Sequence, residues 1–148
     1  MPHANIIESE PALEAIVKSA KSVAVVGIKG EADAAAPAHE IPRRVQARGL
    51  RVVPVNPKLE QTLGEKAYPS LAAMPERVDV VDVFRRSEAI PEIAKEVLAL
   101  PAERRPGVFW MQTGIKNDEA AELLAAAGIQ VVQDRCLGVY SERYREKA

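Results

Sequence analysis

The apolar residues of this chain fall into short valine-rich runs, separated by stretches in which they recur every three to four positions. Leu13, Ile16, Val17 and Ala20 recur at i, i+3, i+4 and i+7, one face of an amphipathic helix, which places a helix at about residues 10–20. SVAVVG, residues 22–27, is a compact run closed by glycine and predicts a buried strand. Residues 30–37, GEADAAAP, read as a loop or a frayed helix start, and residues 41–47 as a helix closed by Gly49. LRVVPVNP, residues 50–57, predicts a second strand stopped by Asn56 and Pro57. Residues 58–77 form a longer connection broken by Gly64, Pro69 and Pro75, with room for one helical turn at 70–74. VDVVDVF, residues 78–84, is a third strand, and Ser87 stands where the next helix needs an N-cap. That helix carries the stripe Ile90, Ile93, Ala94, Val97 and Leu98, with Pro91 near its start. GVFWMQ, residues 107–112, is a fourth strand. Asn117 caps a further helix with Asp118 and Glu119 in its first turn, expected to turn Ala120, Leu123, Leu124 and Ala127 inward and to end at Gly128. IQVVQD, residues 129–134, is a fifth strand, and the polar tail packs a short helix on the surface.

Strands alternating with helices mean right-handed βαβ units and a parallel sheet. The expected fold is a Rossmann-like three-layer α/β sandwich with a five-stranded, mostly parallel sheet. The whole chain, 1–148, reads as one domain with its core at about residues 21–137.

Composition narrows the function. With 47% hydrophobic and 28% charged residues in 148, the chain can bury a core unaided. A net charge of -1 gives no basic excess, so neither nucleic acid nor membrane is an expected partner, while a small anion needing only a local cationic cluster is compatible. One cysteine, Cys136, rules out a disulfide within the chain and argues against a cysteine-based zinc site. No secretory signal and no apolar run of about 20 residues is present, so the cytoplasm is the expected location.

Ligands of open parallel sheets bind beyond the carboxyl ends of the strands, where strand order reverses. The first such loop, Gly27-Ile28-Lys29-Gly30, is not a dinucleotide fingerprint, because the positions needing glycine after Gly27 hold Lys29 and Ala32. The second strand ends in Asn56 rather than the acid that binds a ribose, although Lys58 beside it is compatible with a 2′-phosphate. Lys29, Lys58, Arg85 and Arg86 follow three different strands and converge on one rim, either as solvated charges or as partners for several phosphates. Asn56-Pro57 ends a strand and can also frame a ligand. Gly114 is either a turn or a close approach, with the amides of Gly114 and Ile115 as donors. Gln112 is either a satisfied buried amide or a ligand contact. His39 lies near the first loop without an evident partner, and Cys136 is either a small buried side chain or a thiol sensitised by Arg135. No residue is picked out as catalytic or as a metal ligand.

SVAVVG, RVVPVNP, LGEKAYPSL, VDVVDVFRR, VFWMQTGI and VVQDRC, in this order and over about residues 20–137, resemble the CoA-binding domain family, in particular its short, stand-alone YccU-like members. The chain is also similar to the N-terminal CoA-binding domain of the succinyl-CoA synthetase α subunit. The resemblance implies coenzyme A or an acyl-CoA as ligand. Gly27, Ile28, Lys29 and Gly30 would lie against the pyrophosphate, with phosphates meeting the loop amides and the basic residues. Asn56, Pro57 and Lys58 would stand near the CoA. Phe84 and Arg85 would flank adenine and ribose, with the adenine in an apolar slot beside Phe84 and Ile90 and Arg86 among the cations for the phosphates, and the pantetheine would run toward Gln112 and Gly114, with Thr113 and Ile115 beside them. Where many relatives carry a small residue and a hydroxyl after the first glycine, this chain has Ile28 and Lys29. The synthetase's phosphorylated histidine belongs to a second domain absent here, so the resemblance implies binding rather than catalysis. The alternatives are a subunit that handles acyl-CoA with a separate partner chain, and an NAD(P)-binding sensor or oxidoreductase.

Overall fold

The computed structural model describes residues 3–148. The order is α1 (Glu10–Ser19), β1 (Ser22–Val26), α2 (Pro37–Gln46), β2 (Arg51–Val55), β3 (Gln61–Thr62), β4 (Glu65–Lys66), β5 (Val80–Val83), α3 (Ile90–Ala99), β6 (Val108–Met111), α4 (Asp118–Ala126), β7 (Gln130–Val132) and α5 (Leu137–Tyr144). Five strands form one sheet in the order β2-β1-β5-β6-β7, and every pairing in it is parallel.

Side chains alternate across the sheet and build two cores. Ala24, Val26, Val81, Val83, Phe109 and Met111 pack against α3 and α4. Val23, Val25, Val80, Trp110 and Val132 pack against α1, α2 and α5. Because both faces are covered, the strands read as continuous apolar runs rather than as alternations. The sheet edges are also occupied: Ile6 bridges to Val131 on one side and Tyr68 to Val55 on the other. Pairing the edge backbone removes a template for aggregation. No helix among the described residues is long and apolar enough to cross a membrane.

Several expectations are corrected in detail. The second helix begins at Pro37, four residues before the predicted start, since Pro37 occupies the first turn, where a missing N–H costs nothing. The β2–β5 connection contains no regular helix beyond the single tight turn at 70–74. It holds the β3–β4 hairpin, and the tight turn is closed by Ala73 N–H to Ser70 O and Met74 N–H to Leu71 O. Leu71, Met74 and Val78 from this segment fill the place a crossover helix would take. Ser87 does not cap α3 with its side chain. It opens a 3-10 turn, and its Oγ accepts the amide of Lys116 at 3.1 Å. On α4, Leu123 and Ala127 face solvent, while Ala120, Ala121, Leu124 and Ala125 are buried. Asn117 does cap α4, accepting the Ala120 amide at 2.9 Å.

Candidate functional site

β2 lies on one side of β1 and β5 on the other, so strand order reverses between β1 and β5. The loops leaving these two strands diverge there and open a crevice. At its base the strands are tightly joined: Phe84 donates its amide to Val26 O at 2.8 Å. Gly27 adopts φ +85°, and a Cβ at this position would stand 2.5 Å from Phe84 O. Glycine is required there both for the left-handed backbone and for the approach of the neighbouring chain.

Phe84, Arg85 and Arg86 form a ridge with a concavity on each side. One is a groove of about 980 Å³ between the ends of β1 and β2 and the start of α3, lined by Gly27, Lys29, Asn56, Pro57, Lys58 and the ridge, with Glu88 and Glu96 on the α3 side. The other is a cleft of about 500 Å³, walled by Ala36, Pro37 and Ala38 on one flank and by Gly114 and Ile115 on the other. Lys29, Phe84, Arg85 and Arg86 border both.

The cations of the ridge are unlike the others. Every other arginine of the chain holds a carboxylate or a backbone carbonyl. Among the described residues, neither Arg85 nor Arg86 makes an ion pair or a side-chain hydrogen bond, and both are exposed at the switch point. A guanidinium offers five donors in a planar fork suited to phosphate oxygens.

The loop amides, by contrast, are already committed in part. Gly27 N–H donates to Val55 O and Lys29 N–H to Ala38 O, each at 3.0 Å. The second bond follows from Pro42 inside α2: proline has no N–H to give the carbonyl four residues earlier, which is Ala38's. The freed carbonyl instead holds the first loop. Asn56 serves the same task, its Nδ2 donating to Ile28 O at 2.7 Å and its Oδ1 accepting the Lys58 amide at 2.8 Å. Glu31 adds a strap from this loop to the hairpin, accepting the Thr62 hydroxyl at 2.8 Å and the Leu63 amide at 2.9 Å. These bonds hold its carboxyl below the usual glutamate range. His39, which had no visible partner in the sequence, is buried under the loop with Nδ1 3.0 Å from Lys29 O, so Nδ1 carries the proton. Nothing in the sequence pattern signalled this role for His39, Glu31 or Pro42, because their partners lie on other elements.

Gly27, Lys29, Asn56, Pro57, Lys58, Phe84, Arg85, Arg86, Gly114 and Ile115 thus come together around the ridge. Ile28, Gly30, Ile90, Gln112 and Thr113 line neither concavity. Ile28 and Ile90 are fully buried, each drawn into one of the two cores. Thr113 is exposed outside the cleft. The amides of Gly114 and Ile115 are not free donors: the first is held by Asp134 Oδ1 at 2.6 Å and the second by Gln112 O at 2.9 Å. Asp134 itself sits at φ 55°, a conformation aspartate tolerates, and shapes the wall from outside. Arg135 points away, to Gln133 O and Glu8 O, and Cys136, half-buried, lines neither concavity. Gln112 is buried and donates Nε2–H to Asp82 Oδ1 at 2.8 Å. Asp82 is fully buried, and burial pushes its carboxyl up to about 7, against the opposing bonds from Gln112 and the Val83 amide.

Residues 21–142 match the family model described as a CoA binding domain. The chain belongs to this CoA-binding domain family. The chain is also similar to an uncharacterized protein, YneT, of Bacillus subtilis (strain 168), 37% identical over 131 residues, which are 88% of this chain and 93% of the relative. A solved Thermus thermophilus protein, cell-free ID.343, is 41% identical, with a TM-score of 0.83 over 93% of this chain and 99% of that one. The CoA-binding family fold also matches part of a larger enzyme, a Ca. Korarchaeum cryptofilum dinucleotide-forming acetyl-coenzyme A synthetase. There the TM-score is 0.57 at 22% identity, over 75% of this chain and 25% of the synthetase, a likeness of fold.

Proposed function

We propose that this protein binds coenzyme A or an acyl-CoA across the Phe84–Arg86 ridge. One observation carries the reading: the two arginines without partners stand at the strand-order reversal of a CoA-binding-family sheet, with Lys29 and Lys58 on the same groove. A 3′-phosphoadenosine diphosphate needs several cations at one place, and the groove supplies four. Because the Gly27 and Lys29 amides are engaged within the fold, the first loop supplies at most part of an amide cradle, and phosphate recognition rests chiefly on side chains. The adenosine end occupies the groove beside Asn56, Pro57 and Lys58. The pantetheine crosses the ridge into the less polar cleft between Ala36–Ala38 and Gly114–Ile115, where apolar walls suit a thiol or thioester arm.

NAD(P) fits less well. Asn56 is a neutral amide already bonded to Ile28 O and the Lys58 amide, where an NAD site places a carboxylate to accept from the ribose hydroxyls. Calorimetric titration with CoA, dephospho-CoA and NADH tests the reading. The expected result is CoA binding at least about tenfold tighter than NADH, a difference of roughly 1.4 kcal/mol. Equal affinities, or no heat with CoA, overturn it.

A further inference from the structure

The Asp82–Gln112 pair lies just behind the loop that carries the ridge and lines neither concavity. Asp82 is two residues before Phe84 and Gln112 two before Gly114, so the pair ties together the strand ends that carry the ridge and the far wall of the second cleft. Between the two side chains one bond is made, from Gln112 Nε2 to Asp82 Oδ1. The other two oxygens, Asp82 Oδ2 and Gln112 Oε1, are both buried and both lack a hydrogen-bond partner. With Asp82 ionised, both are acceptors, and a buried charge is left with no cation beside it. Two unpaired acceptors in an apolar interior are costly, each by more than a hydrogen bond normally contributes. A proton on Oδ2 turns one acceptor into a donor for the other.

We infer that Asp82 is held as the neutral acid, donating Oδ2–H to Gln112 Oε1, and that this two-bond acid–amide ring is a positioning element for the proposed CoA site. The inference rests on that reading of the site only for its ligand arm. The surroundings contain no competing charge. In register on the neighbouring strands are Val25 and Trp110. On the same face, α2 carries His39, engaged with Lys29 O and 4.0 Å from Glu31, together with Glu40 and Arg44, which pair with each other at 3.5 Å. On α5, Tyr140 stacks edge-on against Trp110, Glu142 pairs with Arg44, and Arg143 pairs with Glu10 of α1. Glu14 and Lys18 of α1 pair with each other. None of these groups contributes to the rise in the Asp82 pKa, which has burial as its cause.

The folded chain therefore keeps a proton that the unfolded chain releases above the ordinary aspartate range. This contribution to stability is complete below that range and is lost as pH rises toward about 7, where folded Asp82 gives up its proton. Asp82→Asn supplies the same donor and acceptor without titrating, so it preserves the ring at every pH.

Thermal unfolding of the full chain and of Asp82→Asn between pH 5 and pH 9 reads the first consequence. The parent midpoint should fall relative to the variant by roughly 5–10 °C as pH rises. Parallel pH profiles for the two proteins overturn the inference. If Asp82→Asn does not fold, the carboxyl carbon shift of Asp82 in the parent, followed by NMR, decides instead: an ordinary acidic midpoint refutes the neutral acid. CoA titration over the same range reads the second consequence. The parent should lose affinity by about fivefold or more relative to Asp82→Asn, which removes the titration of the ligand's own phosphates from the comparison. A constant affinity ratio refutes the positioning role. Absence of CoA binding in both proteins would refute the proposed function, while the stability profile would still report the ring.

Discussion

Arg85, Arg86 and Lys58 are the residues on which the proposed site depends most directly. Charge-assisted hydrogen bonds to phosphate contribute on the order of 1.5–3 kcal/mol when well made. Alanine at any of the three should weaken CoA binding by roughly tenfold or more in calorimetry. The melting midpoint should hardly move, since exposed substitutions away from special features usually cost under about 0.5 kcal/mol. A variant that loses its effect with dephospho-CoA identifies the contact to the 3′-phosphate. Three variants that bind like the parent would show the ridge to be ordinary solvated charge. Gly27 makes the opposite prediction. Gly27→Ala forces a side chain into a left-handed backbone and against Phe84 O, 2.5 Å away. It should cost at least about 2 kcal/mol in denaturant unfolding, and a loss below about 0.5 kcal/mol would contradict the close approach of β1 and β5. The sequence showed the convergence of the cations, because the residue after a parallel strand has only one rim to occupy. It did not show that Arg85 and Arg86 lack partners while Arg135 is tied to backbone carbonyls, since those partners are long-range. Gln112 was legible as an amide with two possible roles, but not its bond to the buried Asp82, which comes from another strand.

At the scale of elements, the strands and most helices follow from valine-rich runs, apolar stripes and caps. Asn117 illustrates why such a reading works: the cap and the acidic first turn of α4 act over three residues and need no tertiary partner. Asn117→Ala should cost about 1 kcal/mol in chemical denaturation, whereas Leu123→Gln, at an exposed position, should stay within about 0.5 kcal/mol. Equal costs would contradict this orientation of α4. The stripe on α4 was misread because alanine counts as apolar on either face. Ala121 and Ala125, rather than Leu123 and Ala127, pack inward. The β2–β5 connection was illegible for a different reason. Its order comes from bonds to other elements, such as Glu31 to Thr62 and Leu63, and from Tyr68 pairing with the edge of β2. Pro42, read locally, is only an unfavourable helix residue. In the fold it releases the carbonyl that holds the first loop in place.

For the molecule as a whole, a ligand that binds only the folded state raises stability by mass action, by about 2.7 kcal/mol at one hundred times its dissociation constant. CoA at that concentration should therefore raise the melting midpoint by roughly 5–10 °C for a chain of this size, and no shift in a thermal scan would contradict the site. The sequence by itself determined the parallel α/β architecture and the family, because strand polarity, βαβ periodicity and loop motifs are local patterns. The tertiary structure decided the rest. It placed the reversal of strand order between β1 and β5, engaged the Gly27 and Lys29 amides and the Asn56 side chain in internal bonds, and left the Arg85 and Arg86 guanidiniums open. It also buried Asp82 against Gln112, where the surroundings alone set the proton. Which polar groups are satisfied and which remain free depends on partners from distant segments of the chain, and no local pattern of residues encodes that pairing.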